Sequence, residues 1–207
     1  MRSLAILGGG GHARSVASSA ERAGWTSLAL FDDRSPEAWE RGPWPVSGST
    51  DDWAAAVEAY QGVLIGVGDN VARLALHLRA SGLGAPATTL IDPSASVSRH
   101  AHIGAGSVVL AAACVNVQAQ LGQAVIVNTA ATVDHDCRLG DGVHVSPGAN
   151  LAGGVVVGAR SWIGIGAVVR QGVAIGCDAV IGAGAVVLAD VPDGLTVVGN
   201  PARKLER

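Results

Sequence analysis

The segment Val133-Asp134-His135-Asp136-Cys137 has the composition of a proton-transfer site. Imidazole titrates near neutral pH, and a neighbouring carboxylate fixes its tautomer and raises its basicity, so a histidine between two aspartates suits a general base. A solvated Asp-His-Asp corner would read the same way. Asn128 lies seven residues before His135 and His144 nine residues after it. A second polar group, Gly8-Gly9-Gly10-Gly11-His12, follows the apolar run Leu4–Leu7. Backbone N–H groups at such a strand-to-helix turn can receive phosphate. Asp32-Asp33 ends the next strand about twenty residues later, where an acidic side chain can meet a ribose or sugar hydroxyl. The alternative is a tight turn and a solvated loop, with His12 merely starting a helix.

Other reactive types fit less well. His100 and His102 alternate on one strand and could pair on a metal, but no third ligand is near. His77 falls in a predicted helix and reads as structural. Cys137 occupies a slot for small packed residues, and three cysteines without motif spacing give neither a disulfide framework nor a zinc site. Trp25, Trp39, Trp44, Trp53 and Trp162 read as packing area.

The element that positions His135 is a repeat. From Ile91 through Val187 every sixth residue is Ile, Leu or Val, and four residues after each stands a small or β-branched one. This period marks a parallel β-helix wound as a triangular prism, with three hexads to a coil and inward residues stacked about 4.8 Å apart. A helix needs a period near 3.6 and a flat sheet a period of 2. Glycines directly after the inward residue, as at Gly104, Gly122, Gly140, Gly164, Gly176 and Gly182, suit unusual dihedrals or close backbone approach.

Before the repeat the pattern alternates. Strands are predicted at 4–7, 27–31 and 62–68, and helices at 13–23, 51–60 and 70–80, the last with Val71, Leu74 and Leu78 on one face; 36–45 reads as irregular. Such alternation implies a small parallel α/β domain over 1–84, packed against a prism domain over 85–207, with Gly84-Ala85-Pro86 at the boundary. Hydrophobic content of 49% with 3% aromatics and 29 glycines fits stacked small aliphatics. A net charge of −3 and no basic cluster give no sign of nucleic acid or a membrane surface. No run reaches the ~18 apolar residues of a membrane span, and the N-terminal run is too short for a signal peptide, so a cytoplasmic protein is expected.

The run Gly8–Arg14, the strand end Phe31-Asp32-Asp33, the segment 133–141 and the tail Val198-Gly199-Asn200-Pro201-Ala202-Arg203 together resemble the hexapeptide-repeat acetyltransferases of bacterial surface sugars. That family includes the bacillosamine and perosamine N-acetyltransferases and a sialic acid O-acetyltransferase. The resemblance implies a small Rossmann-like domain followed by a left-handed parallel β-helix, a homotrimer, acetyl-CoA as donor without a metal, and a nucleotide-linked amino sugar of UDP or GDP as acceptor. By position His135 resembles the general base, Asp136 or Asp134 its orienting acid, and Asn128 and His144 groups beside the acetyl and amine. Gly153, Ile165 and Ala183 resemble acetyl-CoA contacts, Pro201 with Arg203 the tail over coenzyme A, and Gly8, Gly10, Gly11, His12, Asp32 and Asp33 acceptor-binding positions. Members often have Glu where aspartates flank this histidine. An O-acetyltransferase, a metal-dependent hydratase or hydrolase with three convergent histidines, and a binding module without chemistry are the competing readings.

Overall fold

A computed structural model describes residues 2–34, 43–44 and 46–206. Trp39 and most of the stretch read as irregular lie outside the described residues. The N-terminal unit is an all-parallel sheet in the order β3-β2-β1-β4, made of β1 (Ser3–Leu7), β2 (Ser27–Phe31), β3 (Val46–Gly48) and β4 (Gly62–Ile65). β1 and β4 are buried on both faces, which explains their continuous rather than alternating apolar pattern. Helix α1 spans Gly11–Arg22, and α2 spans only Thr50–Ala55, followed by a 3₁₀ turn at Val57–Ala59. Ser49 and Asp52 form a reciprocal capping box at the start of α2. Helix α3 spans Asn70–Gly82, with Asp69 accepting from the Ala72 N–H as its cap.

The remainder winds as a parallel β-helix of two-residue strands. Ile126 pairs with His144 and His144 with Trp162, three hexads on at each step, and the same register runs through all three faces. The interior from Val109 to Val197 is a column of Val, Leu, Ile and Ala with one cysteine, and it holds no aromatic ring. Ile91 departs from the ladder: it is 40% exposed, because the first rung has no coil beneath it. Inward Ser107 and Ser161 are satisfied within the prism, donating to Gly122 O and Gly176 O and accepting from Val125 N and Ala179 N.

The repeat glycines serve two purposes at two positions. Those directly after the inward residue keep ordinary dihedrals but sit against the next coil; a Cβ on Gly104 would stand 2.4 Å from Gly122 O. The left-handed backbone falls two residues later, at Gly142, Gly154 and Gly166 and also at Ala124, Ala130 and Asp136.

The two units share a core. Leu4, Ile6, Val16 and Ala20 pack with Leu90, Val108, Leu110 and Ile126 of the prism. The α3 interface corrects the expected apolar face: Val71 and Leu78 are exposed, and the buried positions are Asn70, Arg73, His77 and Ala80. This polar face meets the coil turns, whose carbonyls need donors. Asn70 Nδ2 donates to Arg160 O and Ser161 O, and His77 Nε2 bonds Gln123 Oε1.

On α1, Ser19 Oγ and Arg22 Nε donate to Asp92 Oδ2 at 2.7 and 3.0 Å, and the Asp92 carboxylate has no exposed surface. Burial pushes this carboxyl up, but hydrogen bonds from Ser94, Arg22 and Ser19 outweigh it and hold it well below the usual carboxylate range. Such stabilisation is present above the ordinary Asp pKa and is lost as pH falls below it. Asp92→Ala is expected to cost about 2 kcal/mol by stranding these donors. Denaturant unfolding at pH 7 checks this, and an unchanged midpoint would contradict it.

Candidate active site

The carboxyl ends of β1, β2 and β4 open into a cleft of about 440 Å³ lined by Gly8, Gly10, Gly11, His12, Asp32 and Asp33, together with Phe31, Arg34, Thr50 and Gly66–Gly68. This is the end of a parallel sheet at which ligands bind. Gly8 is required by the backbone: its φ is +120°, and a Cβ would lie 2.9 Å from Gly66 O. Gly11 faces open space, and the first turn of α1 carries neither an acidic residue nor a side-chain cap, so its N–H groups remain available to an anion. Asp32 accepts from Gly9 N at 2.6 Å and from Arg34 Nε and Nη2 at 2.9 and 2.8 Å; the Arg34 bonds lead in holding its carboxyl below the ordinary value. Asp33 takes the Thr50 N–H and hydroxyl and so fixes the start of α2.

His12 joins this cleft to the prism. Its ring centroid lies 6.2 Å from that of His144, which stacks at 5.1 Å on Trp162 and receives Asn128 Nδ2 at 3.1 Å on Nε2. Trp162 Nε1 donates to Ser146 Oγ at 2.6 Å. Trp162 packs its indole on His144 from the outer face of the coil directly above it, and keeps part of the ring exposed. No motif marked it; only the three-hexad step from His144 could have found it. His144 is buried and His12 half-buried with its Nε2 out of solvent; desolvation, followed by the Arg73 charge, pushes His12 down to about 4 and His144 to about 3.

His135 stands elsewhere. Asn128 turns the edge between the eight-stranded and six-stranded faces, whereas His135 turns the next edge, between the six-stranded and five-stranded faces. Within one chain a whole prism side separates it from the His12, Asn128 and His144 group. Its Nδ1 meets Asp136 Oδ2 at 2.7 Å, and both side chains are exposed. Asp136 has φ +60°, the left-handed turn conformation that a short acidic residue tolerates. Asp134 is occupied: its Oδ1 accepts from Asn116 Nδ2 and from His135 N. The shorter carboxylate arm thus reaches the ring from position 136. The Asp136 bond and then the Asp134 charge raise the His135 pKa.

The expected coenzyme contacts divide between the same two edges. Gly153 lies one coil above His135, where a Cβ would stand 2.5 Å from the ring Nε2. Ile165 and Ala183 stack on the Asn128 edge; both are exposed, Ile165 by 61%. Pro201 and Arg203 are exposed on the tail, which returns as an antiparallel strand beside Thr196–Val198. Among the described residues no three His, Cys, Asp or Glu side chains are placed to hold a metal ion.

Residues 3–79 match the family described as the PglD N-terminal domain. Over 99% of this chain and 100% of theirs, the coordinates match the acetyltransferase domain of PglB from Neisseria gonorrhoeae with 43% identity and a TM-score of 0.93. The chain belongs to this sugar acetyltransferase family. A second structure of that domain, in complex with acetyl coenzyme A, is 42% identical with a TM-score of 0.91 over 99% of both chains. PerB from Caulobacter crescentus, in complex with CoA and GDP-perosamine, is 38% identical with a TM-score of 0.94 over 100% of this chain and 98% of its own. No curated protein sequence matches significantly. The sugar acetyltransferase fold is accordingly a small α/β domain followed by a left-handed parallel β-helix, and the enzyme takes acetyl-CoA as its co-substrate.

In this acetyltransferase Gly153 leaves room for the His135 ring. Gly153→Ala is expected to displace the ring and lower kcat by about a hundredfold while the protein still folds. Steady-state kinetics beside a thermal melt check it; full kcat would contradict this role.

Proposed function

We propose that the enzyme transfers acetyl from acetyl-CoA to the amine of a UDP- or GDP-linked 4-amino-4,6-dideoxy sugar, for bacterial surface glycans, with His135 as general base. The 2.7 Å pair between His135 Nδ1 and Asp136 carries this reading. The carboxylate accepts a hydrogen bond from Nδ1–H and fixes that tautomer, so Nε2 is the nitrogen that receives a proton. The sugar amine attacks the thioester carbonyl, its proton passes to His135 Nε2, the C–S bond breaks, and the proton is returned to the departing thiolate. PerB with CoA and GDP-perosamine supports the acceptor class.

Residues 1–84 would hold the acceptor in the cleft and residues 85–207 would carry the transfer. Asp32, Asp33, His12 and the α1 N-terminus would face the nucleotide and sugar. Asn128 and His144 would flank the reacting carbonyl and amine. Gly153, Ile165, Ala183, Pro201 and Arg203 would line the donor groove. The enzyme would act as a homotrimer in the cytoplasm. Two observations support the trimer: the site residues stand on two edges of each prism, and Trp162, Ile165, Val168 and Val180 are apolar side chains exposed on the coil.

His135→Ala is expected to lower kcat by about two to four orders of magnitude without unfolding, read by thiol release with UDP-, GDP- and dTDP-amino sugars; near-normal turnover would remove the base. Because the His135 pKa is raised above 6.5, kcat/KM should fall as pH drops through it, and Asp136→Asn should move that limb to lower pH. A limb that stays in place would exclude Asp136 as the orienting acid.

A further inference from the structure

Arg73 is 1% exposed, yet among the described residues no carboxylate lies within ion-pair distance of it. Its donors all go to neutral oxygens. Nε donates to Ala124 O at 2.8 Å, Nη1 to Gly68 O at 2.9 Å and Val67 O at 3.3 Å, and Nη2 to Asn70 Oδ1 at 2.9 Å and Gly142 O at 2.7 Å, with Val143 O at 3.4 Å. These acceptors belong to the wall of the acceptor cleft and to two stacked coil turns, the second of which leads directly into His144. A buried cation without an ion pair is costly, and an apolar side chain would fill the same volume more cheaply.

We infer that Arg73 is a positioning residue for the transfer: it fixes the cleft wall against the His144 strand and sets an unneutralised positive charge behind His12 and His144. The charged group that faces both rings is Arg73, with His12 also facing His144, whereas Asp69, which caps α3, acts on Arg73. His12 Nε2 is buried without a hydrogen-bond partner, and His144 Nδ1 faces the Gly68 carbonyl of the cleft wall. A neutral imidazole keeps one donor and one acceptor nitrogen; on His144 the acceptor is engaged by Asn128 Nδ2, which only the neutral ring can receive, and on His12 the neutral form keeps one of each. Protonated rings would lose that acceptor and would repel an acceptor ammonium.

The kinetic half of the test rests on the proposed binding of the nucleotide sugar in the cleft. The titration half does not, since it is read without substrate. In the wild-type protein the C2–H resonances of His12 and His144 should remain in the neutral position down to pH 5. In Arg73→Met both midpoints should rise by at least about one pH unit, and KM for the amino sugar turned over by the wild type should rise about tenfold with KM for acetyl-CoA within about twofold. Arg73→Lys keeps the charge but cannot span three segments with one ammonium, so the midpoints should stay low while KM for the sugar still rises. Wild-type rings that titrate near 6.5 would overturn the inference even if neither variant folds. A folded Arg73→Met with both readouts unchanged, or with both KM values rising together, would also overturn it. Low wild-type midpoints in a protein that acetylates no nucleotide amino sugar would uphold the charge and reject the proposed substrate.

Discussion

Each two-residue strand of the prism pairs in parallel with the strand three hexads on, and the positions of the site groups follow from that pairing. Backbone N–H and C=O groups are consumed coil by coil, so the register cannot slip without turning the aliphatic column outward. Edges of the prism therefore act as fixed rows. One row stacks Gly153 on His135, and another carries Asn128, Ile165 and Ala183. Rigid rows of this kind hold catalytic groups more accurately than mobile loops can. The α/β unit is tied to them through a shared apolar core and through side-chain donors that meet the carbonyls of the coil turns.

Three histidines in this framework are pushed in opposite directions. His135, exposed and bonded to Asp136, is made more basic. His12 and His144, desolvated and facing Arg73, are made less basic. Environments that separate the pKa values of like groups are how one protein assigns them different work near neutral pH. The assignment follows from burial: a ring at a solvated edge can take up and release a proton, and rings under the α/β unit cannot hold one.

The prism was legible because a six-residue period has no helical or flat-sheet rival, and the cleft because glycines and paired aspartates sit where a parallel sheet ends. What escaped the sequence depends on surfaces that exist only after docking. Val71, Leu74 and Leu78 had core spacing, yet the surface that α3 meets is built of coil carbonyls, so the buried face is Asn70, Arg73 and His77. Trp162 carried no motif and gained its place only by stacking on His144. The choice between Asp134 and Asp136 was open until the left-handed turn at Asp136 and the Asn116 bond to Asp134 settled the geometry.

Because His135 and the His12, Asn128 and His144 group lie on different edges of one prism, the proposed transfer requires two copies of the chain to complete each site. Mixing subunits tests this requirement. A His135→Ala chain and an Asn128→Ala chain, each inactive alone, would be co-assembled in equal amounts and assayed for acetyl transfer. Random assembly should restore about a quarter of the wild-type activity per site, since each site then needs one intact edge from either chain. Mixed assemblies as inactive as their parents would contradict a site shared between subunits.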